Sequence, residues 1–119
     1  MEQAAQGELV NPEDAKLVTL SRGSRARIGA RAGAAVRDDI GRSYSAADVA
    51  LPSLAISALQ LSVAQAVSAG AAGLEAAVVV SRGGEVAAAD LQVVRDLGGV
   101  GVPVFGCGSD GHVISRVTT

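Results

Sequence analysis

Apolar and polar positions alternate along the chain in blocks whose spacing predicts the elements. Residues 1–10 show no periodicity, so they are expected to form a flexible tail ahead of a single domain over 11–119. Asn11-Pro12-Glu13-Asp14 reads as a helix start. Asn11 can cap, Pro12 suits the first helical position, and the two acids face the positive end of the helix dipole. Leu17, Leu20 and Ser24 follow at helical spacing with Val18 beside them, predicting a helix to about Ala26 that Gly29 and Gly33 stop. Two β-compatible runs, 33–40 and 42–50, flank Asp38-Asp39-Ile40-Gly41 and predict a hairpin. Pro52-Ser53 is expected to open a second helix, with Ser53 as its cap, running to about Ala69. Ile56, Leu59, Val63 and Val67 line one of its faces, and Gly70 and Gly73 end it.

Residues 74–80 are mostly apolar without clean alternation, which suits a central strand covered on both faces. Arg82-Gly83-Gly84 makes a loop, 87–97 a third helix, and 100–105 a strand in which Pro103 predicts an unpaired backbone edge. A last strand is expected over 112–117. The order is helix, hairpin, helix, strand, helix, strand, strand. It predicts an α/β protein, a three-layer α-β-α sandwich with a central sheet of about five strands and flanking helices.

Composition adds that the core is built from small side chains. The chain is 49% hydrophobic and 18% charged, which excludes a charge-swollen disordered chain, and Tyr44 and Phe105 are its only aromatic residues. A net charge of −2 gives no global attraction to nucleic acid. Local clustering is another matter, since Arg22, Arg25, Arg27, Arg31, Arg37 and Arg42 fall close together and could offer a basic face. The single Cys107 excludes an internal disulfide and a multi-cysteine metal site, and fits a reducing cytoplasm. The N-terminal stretch is acidic where a signal peptide would be basic, and no apolar run is long enough to span a bilayer, so a cytoplasmic protein without a membrane segment is expected.

Several local strings resemble the small cytidine deaminases over about residues 15–117. Ala32-Gly33-Ala34-Ala35-Val36 is similar to the family's V-G-A-A-L, and Gly41-Arg42 followed by Tyr44 to its D-G-R-hydrophobic hairpin. Ser57-Ala58-Leu59-Gln60, then Val63 and Ala66-Val67-Ser68-Ala69-Gly70, resembles C-A-E-R followed by K-A-V-S-E-G. Residues 87–94, with Gln92 on the family's glutamine, resemble C-G-A-C-R-Q-V-L. The resemblance implies a cytidine-deaminase-like sandwich and a homo-oligomer, either a dimer or a tetramer. It also implies a zinc ion held by three cysteines, or by one histidine and two cysteines, with a glutamate as proton shuttle.

Carried over residue by residue, Ser57, Ala87 and Asp90 stand at the three ligand positions and Leu59 at that of the glutamate. Ala87 donates nothing to a metal and Leu59 carries no proton, so neither a zinc cofactor nor a catalytic residue is expected. Where the family holds ribose with N-x-E, this chain has Asp48-Val49-Ala50; Asp48 keeps an acceptor for hydroxyls and Ala50 does not. Ala30 and Arg31 stand where an aromatic residue usually precedes V-G-A-A-L. Leu59, Leu61 and Val63 predict a former site closed by packing.

Cys107 and His112 form the only cysteine-histidine pair, and they are expected to be a structural thiol and an exposed imidazole. Neither glycine-rich stretch, 98–101 or 106–108, opens a helix as a phosphate loop must. Three functions follow. The first is a non-catalytic cytidine deaminase-like protein, a pseudoenzyme serving as an oligomeric scaffold or binding module. The second is a deaminase-type hydrolase acting on cytidine or a related nucleoside. The third is RNA or ribonucleoprotein contact through Arg22, Arg25, Arg27 and Arg31.

Overall fold

The computed structural model describes Leu9 and residues 11–119; the tail expected over 1–10 otherwise lies outside the described residues. Helix α1 (Pro12–Ile28) begins as predicted, with the Asn11 side chain accepting from the Glu13 N–H at 2.8 Å. It runs two residues beyond the predicted end because Gly29, in the left-handed conformation, closes the last turn. Its buried face is Asp14, Leu17, Ser21 and Ser24, whereas Leu20, expected in that stripe, is 41% exposed. The reason is proximity. A Cβ on Gly33 would overlap the Ser21 carbonyl oxygen, so helix and strand touch and only small side chains fit between them.

Strand β1 (Ala32–Asp38) pairs antiparallel with β2 (Ser43–Ala47), as the hairpin pattern predicts. Asp38 organises the turn. Its Oδ1 accepts from the N–H groups of Ile40 and Arg42 and its Oδ2 from the Tyr44 hydroxyl. The predicted second strand over 42–50 is in fact split. After Ala47 the chain leaves the main sheet, and β3 (Val49–Leu51) pairs with β4 (Leu54–Ile56) in a separate two-stranded sheet turned by Pro52-Ser53.

The predicted start of the second helix is therefore corrected. Helix α2 (Ala58–Ser68) starts at Ser57, not Ser53, because Ser57 and Gln60 make a capping box. Ser57 Oγ accepts from the Gln60 N–H at 3.0 Å, and the Gln60 side chain accepts from the Ser57 N–H at 3.1 Å. That motif satisfies two helix-end donors reciprocally, which Pro52-Ser53 lacks the partner to do. Ala58, Leu59, Ser62, Val63 and Ala66 turn inward, and Val67 is exposed rather than buried.

Strand β5 (Leu74–Ser81) takes the predicted central place in the order β2-β1-β5-β6-β7, antiparallel to β1 and parallel to β6. Helix α3 (Ala88–Gly98) makes the crossover to β6 (Pro103–Cys107), and β7 (Val113–Thr118) is the edge strand. β6 begins later than the predicted 100–105 because Gly101 adopts a positive φ of 97° and holds a turn. Pro103 pairs with Thr118 of β7 but precedes the register with β5, so its missing N–H costs no bond on that side.

The five-stranded sheet separates two apolar layers. Ala77 and Val79 face α2 and α3, packing with Val36, Leu59, Val63, Val94 and Val104, while Val78 and Val80 face α1 beside Leu17, Ala35 and Phe105. This two-sided burial explains the unbroken apolar run of β5. Arg37 is buried on the α1 side, with Nε 2.8 Å from Glu75 Oε1 and Nη2 2.9 Å from Asp14 Oδ1. The Asp14 contact is an ion pair without hydrogen-bond alignment, and Nη1 has no hydrogen-bond partner among the described residues. Among those residues no helix is long and apolar enough to cross a membrane.

Candidate functional site

A cleft of about 930 Å³ opens at the carboxyl end of β5, the place where open α/β sheets commonly hold ligands. Its lining includes Ser57 and Ala58 at the start of α2, Ala87 and Asp90 at the start of α3, and Asp48 between β2 and β3. Fold and resemblance thus bring Ser57, Leu59, Ala87 and Asp90 to one place, as the sequence mapping requires. The expectation that packing closes this site is overturned. Ala58 and Leu59 are buried against the sheet, and Ser57 and Ala87, which line the cleft, are too small to fill the space.

Ser57 Oγ donates to Asp90 Oδ1 at 2.8 Å while accepting from the Gln60 N–H. The N-cap of α2 is thereby tied to the first turn of α3, and both groups spend polar capacity on each other. Zinc needs three protein donors and an open position for water. Here the donors at the mapped positions are one engaged hydroxyl, one carboxylate and a methyl group, which do not fit that ion. Among the described residues no three His, Cys, Asp or Glu side chains converge anywhere.

Asp48 sits at the cleft wall, with Oδ1 accepting from the Ala32 N–H at 2.8 Å. One of its oxygens therefore fixes the entry into β1. Cys107 lies in the other layer, packed with Val80, Phe105 and Val113. Burial, then the nearby Asp110 carboxylate, push its thiol up to about 11, so it stays protonated at neutral pH. His112 is exposed, and its N–H is held by Asp110 Oδ1 at 2.9 Å. The pair is not brought together as a dyad.

The arginine cluster divides into different environments. Arg22, Arg27 and Arg31 are exposed and Arg25 half-buried, whereas Arg37 is inside and Arg42 lies at the opposite end of β1 from Arg31. Arg25 and Arg31 belong to the cleft, with Arg25 Nε donating to the Arg31 carbonyl oxygen at 3.1 Å. Arg82 and Glu85, from the β5–α3 loop, complete it; the sequence places Arg82 in a loop but does not single out either as a site residue. Their signal was positional: charged residues beside a glycine pair directly after the central strand.

That loop is fastened across the sheet. The Gly84 N–H donates to Ser81 Oγ at 3.0 Å, and the Gly84 carbonyl accepts from Ser115 Oγ of β7 at 3.1 Å. Gly106 of β6 makes room for this crossing, because a Cβ there would overlap the Gly84 carbonyl oxygen.

A family model described as cytidine deaminase-like matches residues 10–111. Among solved structures, the cytidine deaminase from Burkholderia pseudomallei matches with a TM-score of 0.75 at 23% identity, covering 87% of this chain and 90% of that one. The cytidine deaminase from Mycobacterium tuberculosis matches with a TM-score of 0.65 at 25% identity over 75% of this chain and 80% of that one. The enzyme from Mycobacterium leprae gives a TM-score of 0.67 at 17% identity, with 87% and 90% covered. No curated protein sequence matches the chain.

Proposed function

The chain belongs to the cytidine deaminase-like family, and from that premise we propose that it is a member that binds rather than deaminates. On this reading it is a non-catalytic protein, homo-oligomeric and cytoplasmic, whose open cleft is a ligand site. The observation that carries it is the Ser57–Asp90 hydrogen bond at 2.8 Å beside Ala87, with Leu59 buried behind. Hydrolytic deamination requires a metal-activated water and a side chain that moves a proton. These four residues supply neither. The cleft that remains is open and polar-rimmed, which favours a binding module over a scaffold with a filled core.

The homo-oligomer is supported by the exposed Leu51 and Leu54, paired across β3 and β4, which offer apolar surface to a second copy. A buried, protonated Cys107 fits a cytoplasmic setting. No single face unites Arg22, Arg25, Arg27, Arg31 and Arg42, so nucleic-acid contact has no observation of its own.

The reading is tested by quantifying metal in protein purified without an affinity tag and following cytidine-to-uridine conversion by absorbance. The expected result is no stoichiometric zinc and no turnover, with a thermal shift from a cleft ligand. Stoichiometric zinc together with turnover would establish the hydrolase instead.

A further inference from the structure

Three guanidinium groups line the cleft: Arg25 in the last turn of α1, Arg31 in the turn that follows, and Arg82 just after β5. None of them has a carboxylate partner. The ion pairs among the described residues are Lys16–Glu13, Arg37–Asp14 and Arg37–Glu75. Among the described residues the Arg25 side chain donates to the Arg31 carbonyl, and the side chains of Arg31 and Arg82 donate to no protein acceptor. Arg37, by contrast, is ion-paired with two acids. The cleft arginines are left otherwise.

The three acids in the same cleft, Asp48, Asp90 and Glu85, form no ion pair with them among the described residues. Asp48 and Asp90 each already accept a hydrogen bond through Oδ1, from the Ala32 N–H and from Ser57 Oγ. Glu85 lies on the rim without an arginine within ion-pair distance. Guanidinium groups without an ion-pair partner offer planar donor forks suited to phosphate oxygens, and an anion entering the cleft engages them. The remaining carboxylate oxygens of Asp48 and Asp90 are acceptors for the hydroxyl groups of whatever carries that anion. A volume of about 930 Å³ accommodates both parts.

We propose that the cleft takes a phosphate monoester of a polyhydroxylated compound, with Arg25, Arg31 and Arg82 on the phosphate and Asp48 on the hydroxyls. This deepens the binding reading above and rests on it. A nucleotide and a sugar phosphate share this chemistry, and the experiment separates them.

The test is calorimetric titration of the full chain, at low ionic strength, with cytidine, cytidine 5′-monophosphate, ribose 5-phosphate and inorganic phosphate. Both esters are expected to bind at least about tenfold more tightly than cytidine, and added salt to weaken them. Arg31→Gln and Arg82→Gln are each expected to weaken the esters about tenfold while leaving the thermal midpoint in place. Tighter binding of cytidine 5′-monophosphate than of ribose 5-phosphate identifies a nucleotide site, and the reverse a sugar-phosphate site. Cytidine binding as tightly as its phosphate overturns the inference and leaves the binding reading standing. Ester binding unchanged in both arginine variants also overturns it. No binding of any of the four removes the inference and the binding reading together.

Discussion

Ser57 and Asp90, 33 positions apart in the chain, meet in a 2.8 Å hydrogen bond that joins the beginnings of two helices. The family resemblance would set both at metal-ligand positions, and on that mapping the bond links α2 to α3 where a metal would link them. Ser57 also caps α2, so it serves two purposes. Ser57→Ala is expected to cost about 1–2 kcal/mol, combining a lost cap with a lost hydrogen bond. Asp90→Ala removes only the second and should cost less. A double-mutant cycle by urea unfolding measures the coupling, expected near 0.5–1 kcal/mol. Zero coupling would show that the bond ties nothing.

Ser57, Ala87 and Asp90 line one cleft, so thiolates placed there would face one metal ion. The triple substitution Ser57→Cys, Ala87→Cys and Asp90→Cys supplies three thiolates at the mapped positions. It is expected to bind about one zinc ion per chain, read by metal quantification and by the charge-transfer absorption of a cobalt-substituted sample. Substoichiometric metal in a folded triple variant would show that the helices no longer stand at ligating distance.

Acid should find the β1–β2 turn first. Burial pushes the Asp38 carboxyl up, but the Arg42 N–H, the Tyr44 hydroxyl and the Ile40 N–H outweigh it and hold the group below the usual carboxylate range. A folded-state value below the unfolded one means the stabilisation is present at neutral pH and is lost as pH falls from about 3.8 through the folded value. Unfolding midpoints measured from pH 6 down to about 2.5 should fall in the native protein and flatten in Asp38→Asn. Equal slopes in the two proteins would remove Asp38 as the cause.

Arg37 is a structural charge, and its removal should be felt across the α1 layer. Burial lowers its pKa, and Glu75 and Asp14 more than restore it, so it is held charged. Arg37→Ala leaves Asp14 buried without a cation and is expected to cost about 2–3 kcal/mol by chemical denaturation. Glu75 is nearly half exposed, and Glu75→Ala should cost under about 1 kcal/mol. Comparable losses in the two variants would contradict this division.

What the chain discloses about its shape depends on whether the cue is local. The Asn11 cap, the Asp38 turn and the unbroken apolar run of β5 are local or periodic, and each element appears where its pattern predicts. The excursion through β3 and β4 is not disclosed. Three-residue strands carry too little alternation to register, and Pro52-Ser53 serves equally well as a helix opening or a turn. Ser57-x-x-Gln60 was the better helix signal, since only a reciprocal pair satisfies two donors at once. At the site, the resemblance pointed to Ser57, Leu59, Ala87 and Asp90, which line one cleft, but not to the open space beside them. Whether small residues leave a void depends on neighbours from Arg25, Arg31 and Arg82, which lie distant in sequence.

The crossing of Gly84 over Gly106 gives the cleft a mechanical connection to the rim of the sheet. One wall of the cleft, carrying Arg82 and Glu85, hangs on a carbonyl that Ser115 of the outermost strand grips. A larger residue in place of Gly106 would push against that carbonyl and so against the loop that carries the wall. Position 106 thus bears on the cleft although it is not among the residues lining it.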